Sequence, residues 1–357
     1  MEEGKINYRP VNSIFSTSCS DIRPSQIRNI LIMRPGALGD VIVTLPALEA
    51  IRNHFPNAHI EIMGYSSFLE ILNGRFYADS VSRFDRADIV HLFLENSTIP
   101  ASLRKTLKGV DLIFSFVSDR EHVFAKNLSQ AGVGHIVHYE PFPADGEDIH
   151  ITDHFLRCMD MLRIPYTNKI PGIVLKDEDI LFGEKFMHHN NVEPERALVA
   201  IHPGSGSRQK CWPAERYAEL ISWLVAEMNA QILLVSGYAD TEILGELTAK
   251  VKDTVIVADQ LPLPNLAAVI KRCNFFVGND SGITHVAAAV GTPAIAIFGP
   301  TNPDMWGPRG KQVKIIYNKY PCSPCSPGVR RECFSQACFE GVTVEDVTSE
   351  IKYRYPV

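Results

Sequence analysis

From residue 28 onward, short apolar runs alternate with stretches whose apolar residues recur at helical spacing, the pattern of a parallel α/β fold. The runs "NILIMR" (29–34), "HIEIMGY" (59–65), "SVSRF" (80–84), "DLIFSF" (111–116) and "HIVHY" (135–139) predict strands. Between and after them, "VIVTLPALEAIRNHF" (41–55), "SSFLEILN" (66–73), "EHVFAKNLSQAG" (121–132) and "ITDHFLRCMDMLRI" (151–164) predict helices, the last ending at Pro165. The connection "PYTNKIPGIVLKDED" holds two prolines and a glycine, which places a domain boundary near residue 172. The pattern then restarts, with strands expected at "ALVAIHPG" (197–204), "QILLVSGY" (231–238), "TVIVA" (254–258), "NFFVGND" (274–280) and, as the last central strand, "PAIAIFGP" (293–300). Helices are expected at 213–228, 264–273 and 281–291. The chain thus reads as an extension (1–27) and two Rossmann-like, doubly wound halves (28–172 and 173–357) facing a cleft. Ligands of such sheets bind beyond the carboxyl ends of the strands, so the loops after Arg34, Ile201, Ser236, Gly278 and Phe298 are the ones to search.

Length and charge narrow this further. A chain of 357 residues is expected to form two domains. A net charge of −6 argues against a dedicated nucleic-acid binder. No apolar run reaches the ~18–20 residues needed to span a bilayer. The polar extension, with its two prolines, lacks the basic-then-apolar build of a secretory signal. A cytoplasmic protein is expected, with peripheral membrane contact left open.

Three segments carry candidate chemistry. In "FFVGNDSGITHVAAAVG", a strand feeds a tight turn where Asp280 can N-cap a helix, and Ser281, Gly282 and Ile283 offer backbone N–H groups to a diphosphate. Thr284 and His285, one turn in, can supplement them; the alternative is a well-capped strand–helix junction. In "AIHPGSGSRQKCWPAERYAEL", Arg208 and Lys210 precede a helix opening at Pro213, as a flexible cation clamping a diphosphate would; a solvated lysine is the alternative. Neither loop is a P-loop. In "RPGALGDV" (34–41), G-x-G-x-x-G is absent, and Asp40 stands at a helix entrance where a pyrophosphate would be repelled. Glu61, near the place of a ribose-binding acid, keeps an NAD reading open. Asp40 is either a simple N-cap or a general base facing a neutral hydroxyl.

Other matches are weaker. The D-x-D of "KDEDIL" (176–181) is read as a helix start, and "HITDH" (150–154) as a surface helix lacking the glutamate of H-E-x-x-H. Cys19, Cys158, Cys211 and Cys273 are scattered, the last three in apolar-rich stretches. Cys322, Cys325, Cys333 and Cys338 are spaced C-x2-C, C-x7-C and C-x4-C, without the second C-x2-C knuckle of common zinc ribbons. Zinc ligation, a labile disulfide and unligated loop or packing cysteines all remain open there, the last being favoured.

Taken together, "ILIMRPGALGDVIVTLPALEAIRNHFPNAHI", "HPGSGSRQKCWPAERYAELI", "GNDSGITHVAAAVGTPAIAIFGPTNP" and the "PCSPC…C…C" tail resemble glycosyltransferase family 9, the ADP-heptose:lipopolysaccharide heptosyltransferases. The blocks occur in family order from residue 28 to about 345. The resemblance implies a GT-B fold and metal-independent, inverting transfer without a cofactor, with an ADP-sugar as co-substrate. It implies that the amino-terminal domain receives a lipopolysaccharide core or lipid A-type acceptor and that the carboxyl-terminal domain holds the nucleotide sugar. Asp40 matches the catalytic base, with Arg34, Gly36 and Gly39 in the acceptor-side loop. Lys210 matches a donor-phosphate contact, and Asp280, Ser281, Gly282, Ile283 and His285 match the segment around the diphosphate. Asp240 or Glu242 matches a ribose contact, and Leu261 falls at an adenine contact. The chain departs from the family pattern at Pro35–Gly36 and in its 27-residue extension. On the same scaffold, a different donor or acceptor, a nucleotide-sugar epimerase and a non-catalytic sugar-nucleotide sensor are the alternatives.

Overall fold

The computed structural model describes residues 15–16, 23–119, 121–237, 240–251 and 255–354. Cys19 and most of the amino-terminal extension lie outside the described residues. Two compact units divide the chain after Lys169, except that Leu38–Val43 belong to the second.

The first unit carries strands β1 (Phe15–Ser16), β2 (Asn29–Met33), β3 (His59–Gly64), β4 (Ser80–Arg83), β5 (Leu112–Ser115) and β6 (His135–His138). Its helices are α1 (Leu38–His54, whose first residues join the second unit), α2 (Ser66–Leu69), α3 (Ala101–Leu107), α4 (Val123–Gln130) and α5 (Ile151–Met161). The sheet order is β1-β6-β5-β2-β3-β4, parallel except for β1, whose Phe15 pairs with His138. The strand order reverses at β2, where Met33 faces Ser115 on one side and Met63 on the other. Leu31, Met33, Ile113, Phe124 and Ile136 belong to its core.

The second unit carries α6 (Asp177–His189), β7 (Leu198–His202), α7 (Ala214–Met228), β8 (Gln231–Ser236), α8 (Thr241–Thr248), β9 (Val255–Asp259) and α9 (Leu263–Lys271). There follow β10 (Phe275–Asn279), α10 (Gly282–Ala289), β11 (Ala294–Phe298), α11 (Pro303–Trp306), β12 (Val313–Tyr317), α12 (Pro327–Arg331) and α13 (Val344–Arg354). Its fully parallel sheet has the order β12-β11-β10-β7-β8-β9. β7, β8, β10 and β11 are buried along their whole length, which is why they read as continuous apolar runs. Helix α7 packs the stripe Tyr217, Leu220, Ile221 and Leu224 into a core that includes Trp212, Phe275 and Phe339. Gly278 pairs with His202, so the loops leaving β7 and β10 start side by side at the point where strand order reverses.

Several expectations change. The stretch 66–73 is α2 followed by a tight 3-10 turn over 70–72. Helix α1 begins at Leu38, so Asp40 lies inside its first turn and is not its N-cap. The helix containing "HITDH" is not a surface helix: His154 is fully buried, its Nε2 2.8 Å from the Glu140 carbonyl and its ring beside Tyr139. The D-x-D does open a helix, and Asp179 closes a capping box there by accepting the Lys176 N–H. Glu61 is the third residue of β3 and not at its carboxyl end, so it is not where a ribose acid would stand. Beyond the expected strands, β12 continues the sheet past β11. Among the described residues, no helix is long and apolar enough to cross a membrane.

Candidate functional site

In the second unit, β7 ends at His202 and β10 at Asn279, and the two loops that follow are fastened together. Asn279 is fully buried. Its Oδ1 accepts from Trp212 N (3.0 Å) and Tyr217 Oη (2.9 Å), and its Nδ2 donates to the carbonyls of Pro203 (2.7 Å) and Gly204 (3.2 Å). Ser205 Oγ adds a bond to the Asp280 carbonyl (2.7 Å). A 3-10 turn over Arg208–Lys210 then brings Lys210 Nζ to 2.7 Å from Asp280 Oδ2. The same carboxylate oxygen accepts the Thr301 hydroxyl (2.6 Å). Asp280 is buried, whereas the Lys210 side chain keeps 22% of its exposure. The lysine ammonium is therefore held by one carboxylate, with further N–H donors left for a second anion.

Asp280 is not the helix cap. Ser281 caps α10, its Oγ accepting the Thr284 N–H (3.3 Å). The first amides of the helix, Gly282 and Ile283, have no acceptor within the helix itself, and the neutral cap leaves its positive end unneutralised. Thr284, expected as a supplementary donor, is fully buried and gives its hydroxyl hydrogen to the Asn279 carbonyl. His285 is buried as well. Arg208 does not join Lys210: its guanidinium chelates Glu246 on α8 (2.8 and 2.7 Å), which holds its pKa above the ordinary value.

A second acidic group lies beneath the loop. Asp240 Oδ2 accepts from Gly237 N (2.8 Å) and meets His202 Nε2 at 3.1 Å. Burial alone would raise this carboxyl, but the hydrogen bond and charge of His202, with the Gly237 N–H, hold it below its ordinary value. Asp240 is thus engaged inward, whereas Glu242 is exposed in the first turn of α8. Leu261 is half-buried between β9 and α9.

Residues 38–43 complete this unit. A Cβ on Gly282 would stand 2.7 Å from Leu38 Cβ and 3.0 Å from Gly39 N, and one on Gly39 would touch His285 Cδ2 at 3.6 Å. Gly282 is required by this close packing of two helix starts, a reason the sequence alone did not supply. Asp40, half-buried, follows Gly39 directly.

In the first unit, Arg34 follows β2 directly but turns inward. Its Nε donates to Thr44 Oγ1 (3.0 Å), its Nη1 to the Pro35 carbonyl (3.2 Å), and its guanidinium carbon lies 5.0 Å from the Phe155 ring centroid. Gly36, also half-buried, lies in the loop that follows. In the carboxyl-terminal segment, burial and the neighbouring thiols of Cys325, Cys322 and Cys333 push the Cys338 thiol up to about 11. Cys325 Sγ donates to the Cys322 carbonyl (3.1 Å). Among the described residues, no group of three or more His, Cys, Asp or Glu side chains is disposed to hold a metal ion. Buried Cys158, Cys211 and Cys273 are free thiols.

Sequence reasoning missed Asn279, His202 and Thr301. Asn279 was visible as an amide at the end of an apolar run, a place where a buried polar side chain needs partners from another loop.

Comparison with known proteins adds an independent line. Residues 173–334 match the profile of glycosyltransferase family 9 (heptosyltransferase). The lipooligosaccharide heptosyltransferase 2 of Campylobacter jejuni is 24% identical over 337 residues, covering 90% of this chain and 98% of that protein. A family 9 glycosyl transferase from Veillonella parvula superposes with a TM-score of 0.73 at 21% identity, over 91% of this chain and 96% of the other. The Escherichia coli ADP-heptose lps heptosyltransferase II superposes at 0.68 and 19% identity, over 91% and 98%. These two likenesses show the GT-B fold of paired parallel-sheet α/β domains.

Proposed function

Since this chain is a glycosyltransferase of family 9, we propose that it transfers heptose, or a related sugar, from an ADP-sugar to a lipopolysaccharide core or lipid A-type acceptor with inversion. The observation that carries this reading is the neutral Ser281 cap of α10 beside Lys210, whose ammonium is oriented by Asp280. An ADP diphosphate fits that combination of first-turn amides and a partly exposed cation. Asp40 takes the proton of the acceptor hydroxyl, whose oxygen attacks the anomeric carbon from the face opposite the leaving group. The bond from that carbon to the ADP oxygen breaks, and the charge left on the diphosphate is met by Lys210 and the amides of Gly282 and Ile283. Glu242 contacts the ribose, the backbone at Leu261 contacts adenine, and Gly36 and Gly39 lie on the acceptor side, with buried Arg34 shaping their loop. An amphiphilic acceptor brings the protein to the cytoplasmic face of the inner membrane as a peripheral partner.

The test is incubation with ADP-, UDP- and GDP-sugars plus a core-lipid extract, read by mass spectrometry. A heptose mass increment on the lipid, dependent on the ADP-sugar and surviving EDTA, is expected. Transfer from UDP- or GDP-sugars alone would overturn the donor assignment, and an isomerised sugar nucleotide without lipid product would overturn the transferase step.

A further inference from the structure

Three buried side chains, from the end of β7, the start of α8 and the turn before α10, are linked by hydrogen bonds beneath α10. The His202 ring is 2% exposed and lies between two partners: its Nε2 is 3.1 Å from Asp240 Oδ2 and its Nδ1 3.2 Å from Ser281 Oγ. Asp240 is itself fixed by the Gly237 N–H, and the missing side chain of Gly204 makes room for it, since a Cβ there would lie 1.8 Å from Asp240 Oδ1. At the other end, Ser281 Oγ accepts the Thr284 N–H and lies 3.1 Å from Thr284 Oγ1.

We propose that His202 is a positioning residue for the nucleotide site: anchored by Asp240, it fixes the Ser281 hydroxyl as the cap of α10 and so presents the Gly282 and Ile283 amides to the diphosphate. The inference rests on the reading of that turn as the diphosphate site. A serine side chain has several staggered rotamers, and only one that turns Oγ back over the helix end caps it. Thr284 Oγ1 competes for the same hydroxyl from the helix side, and His202 holds Oγ from the strand side. A histidine kept only to stabilise the fold would be satisfied by the buried bond to Asp240; the contact to Ser281 is the one that reaches the ligand-binding turn. Because His202 pairs in register with Gly278 across β7 and β10, its ring is carried by the sheet itself.

The two faces of the ring can be tested separately. An asparagine amide reaches the Nδ1 position and keeps a bond to Ser281, whereas a glutamine amide reaches the Nε2 position and keeps the bond to Asp240. Calorimetric titration with ADP is expected to give about tenfold weaker binding for His202→Gln and no more than about threefold for His202→Asn. The donor KM should follow the ADP affinity, while kcat at saturating donor stays within about threefold of wild type, because His202 touches no reacting atom. In a Ser281→Ala background, His202→Gln should cost no further affinity, the non-additivity expected when one residue acts through another. Equal losses for Gln and Asn, unchanged ADP affinity in His202→Gln, or additive losses in the double variant would overturn the proposal. If His202→Gln does not fold, as judged by its thermal melt, the cycle of Asp240→Asn with Ser281→Ala decides the same question: non-additive losses support the relay through His202 and additive ones overturn it. A wild-type protein that does not bind ADP would overturn the diphosphate reading itself; one that binds ADP while His202→Gln is unimpaired overturns only the role of His202.

Discussion

Helices α4 and α10 occupy the same place in their respective units, each following the parallel strand that lies beside the first strand of the Rossmann-like core. Their N-termini are treated in opposite ways. In the first unit the buried Asp119 carboxylate accepts Phe124 N (3.0 Å) and Ala125 N (2.8 Å), so an anion of the chain's own already neutralises the helix end. The Asp119 N–H in turn donates to Glu140 Oε1 (2.6 Å). Burial would raise the Glu140 carboxyl, but His138, the Asp119 N–H and Ser118 hold it below the ordinary carboxylate range. In the second unit the cap is a hydroxyl, and Lys210 stands nearby. The cations differ in the same sense: Arg34 is turned into its own unit, while Lys210 stays partly exposed. Topology sets where a ligand can dock, and the charge of one capping side chain sets whether that ligand can be an anion.

The contrast can be pressed from several sides. The largest effect is expected from Asp40→Asn, which should lower transfer by about 10²–10⁴-fold while leaving ADP binding and the melting temperature near wild type; steady-state rates at saturating donor and acceptor check this, and near-normal turnover would sink the base assignment. Next, Ser281→Asp imports the first unit's solution into the second. Aspartate caps a helix well, so the fold should persist, but ADP affinity should fall by about a hundredfold as a fixed carboxylate meets the diphosphate; titration calorimetry reads it directly. Lys210→Ala should weaken ADP binding by about ten- to a hundredfold, through loss of a charge-assisted bond, and should shrink the thermal shift that ADP produces. The smallest effect belongs to Asp119→Ala, expected to cost about 1–2 kcal/mol of stability in denaturant titration with ADP affinity unchanged. A loss of ADP affinity there would show that the two caps are not independent.

Much of this fold was legible because parallel strands buried on both faces leave short apolar runs bounded by turn residues, which alternate here with longer helical patterns. β12 escaped for the converse reason: "VKIIY" lies at the sheet edge and is only partly buried, so its pattern is mixed. Helix α13 was equally hard to see, since only Val347, Thr348 and Ile351 face inward along an otherwise polar segment. His154 was misread although a signal existed, for it shares a helical stripe with the buried Ile151, Phe155 and Cys158. At the site, the glycine turns and Lys210 could be seen in the sequence, but not which of Asn279, Asp280 and Ser281 would cap α10. All three residue types are good caps. Lys210 and Thr301 claim Asp280, and four backbone and side-chain groups of the β7 loop and α7 claim Asn279, leaving Ser281. Those claims come from residues far along the chain, and no local pattern encodes them.

Asn279 also has a consequence for how the protein comes into being on the ribosome. Its partners, Pro203, Gly204, Trp212 and Tyr217, are synthesised 62 to 76 residues earlier. Until β10 has emerged and docked, the loop that follows β7 lacks the amide that ties Pro203, Gly204, Trp212 and Tyr217 together. Gln336, which donates to the Arg208 carbonyl, and Val342, whose carbonyl accepts from the Trp212 indole, are made later still, so this loop gathers its full set of partners only near the end of synthesis.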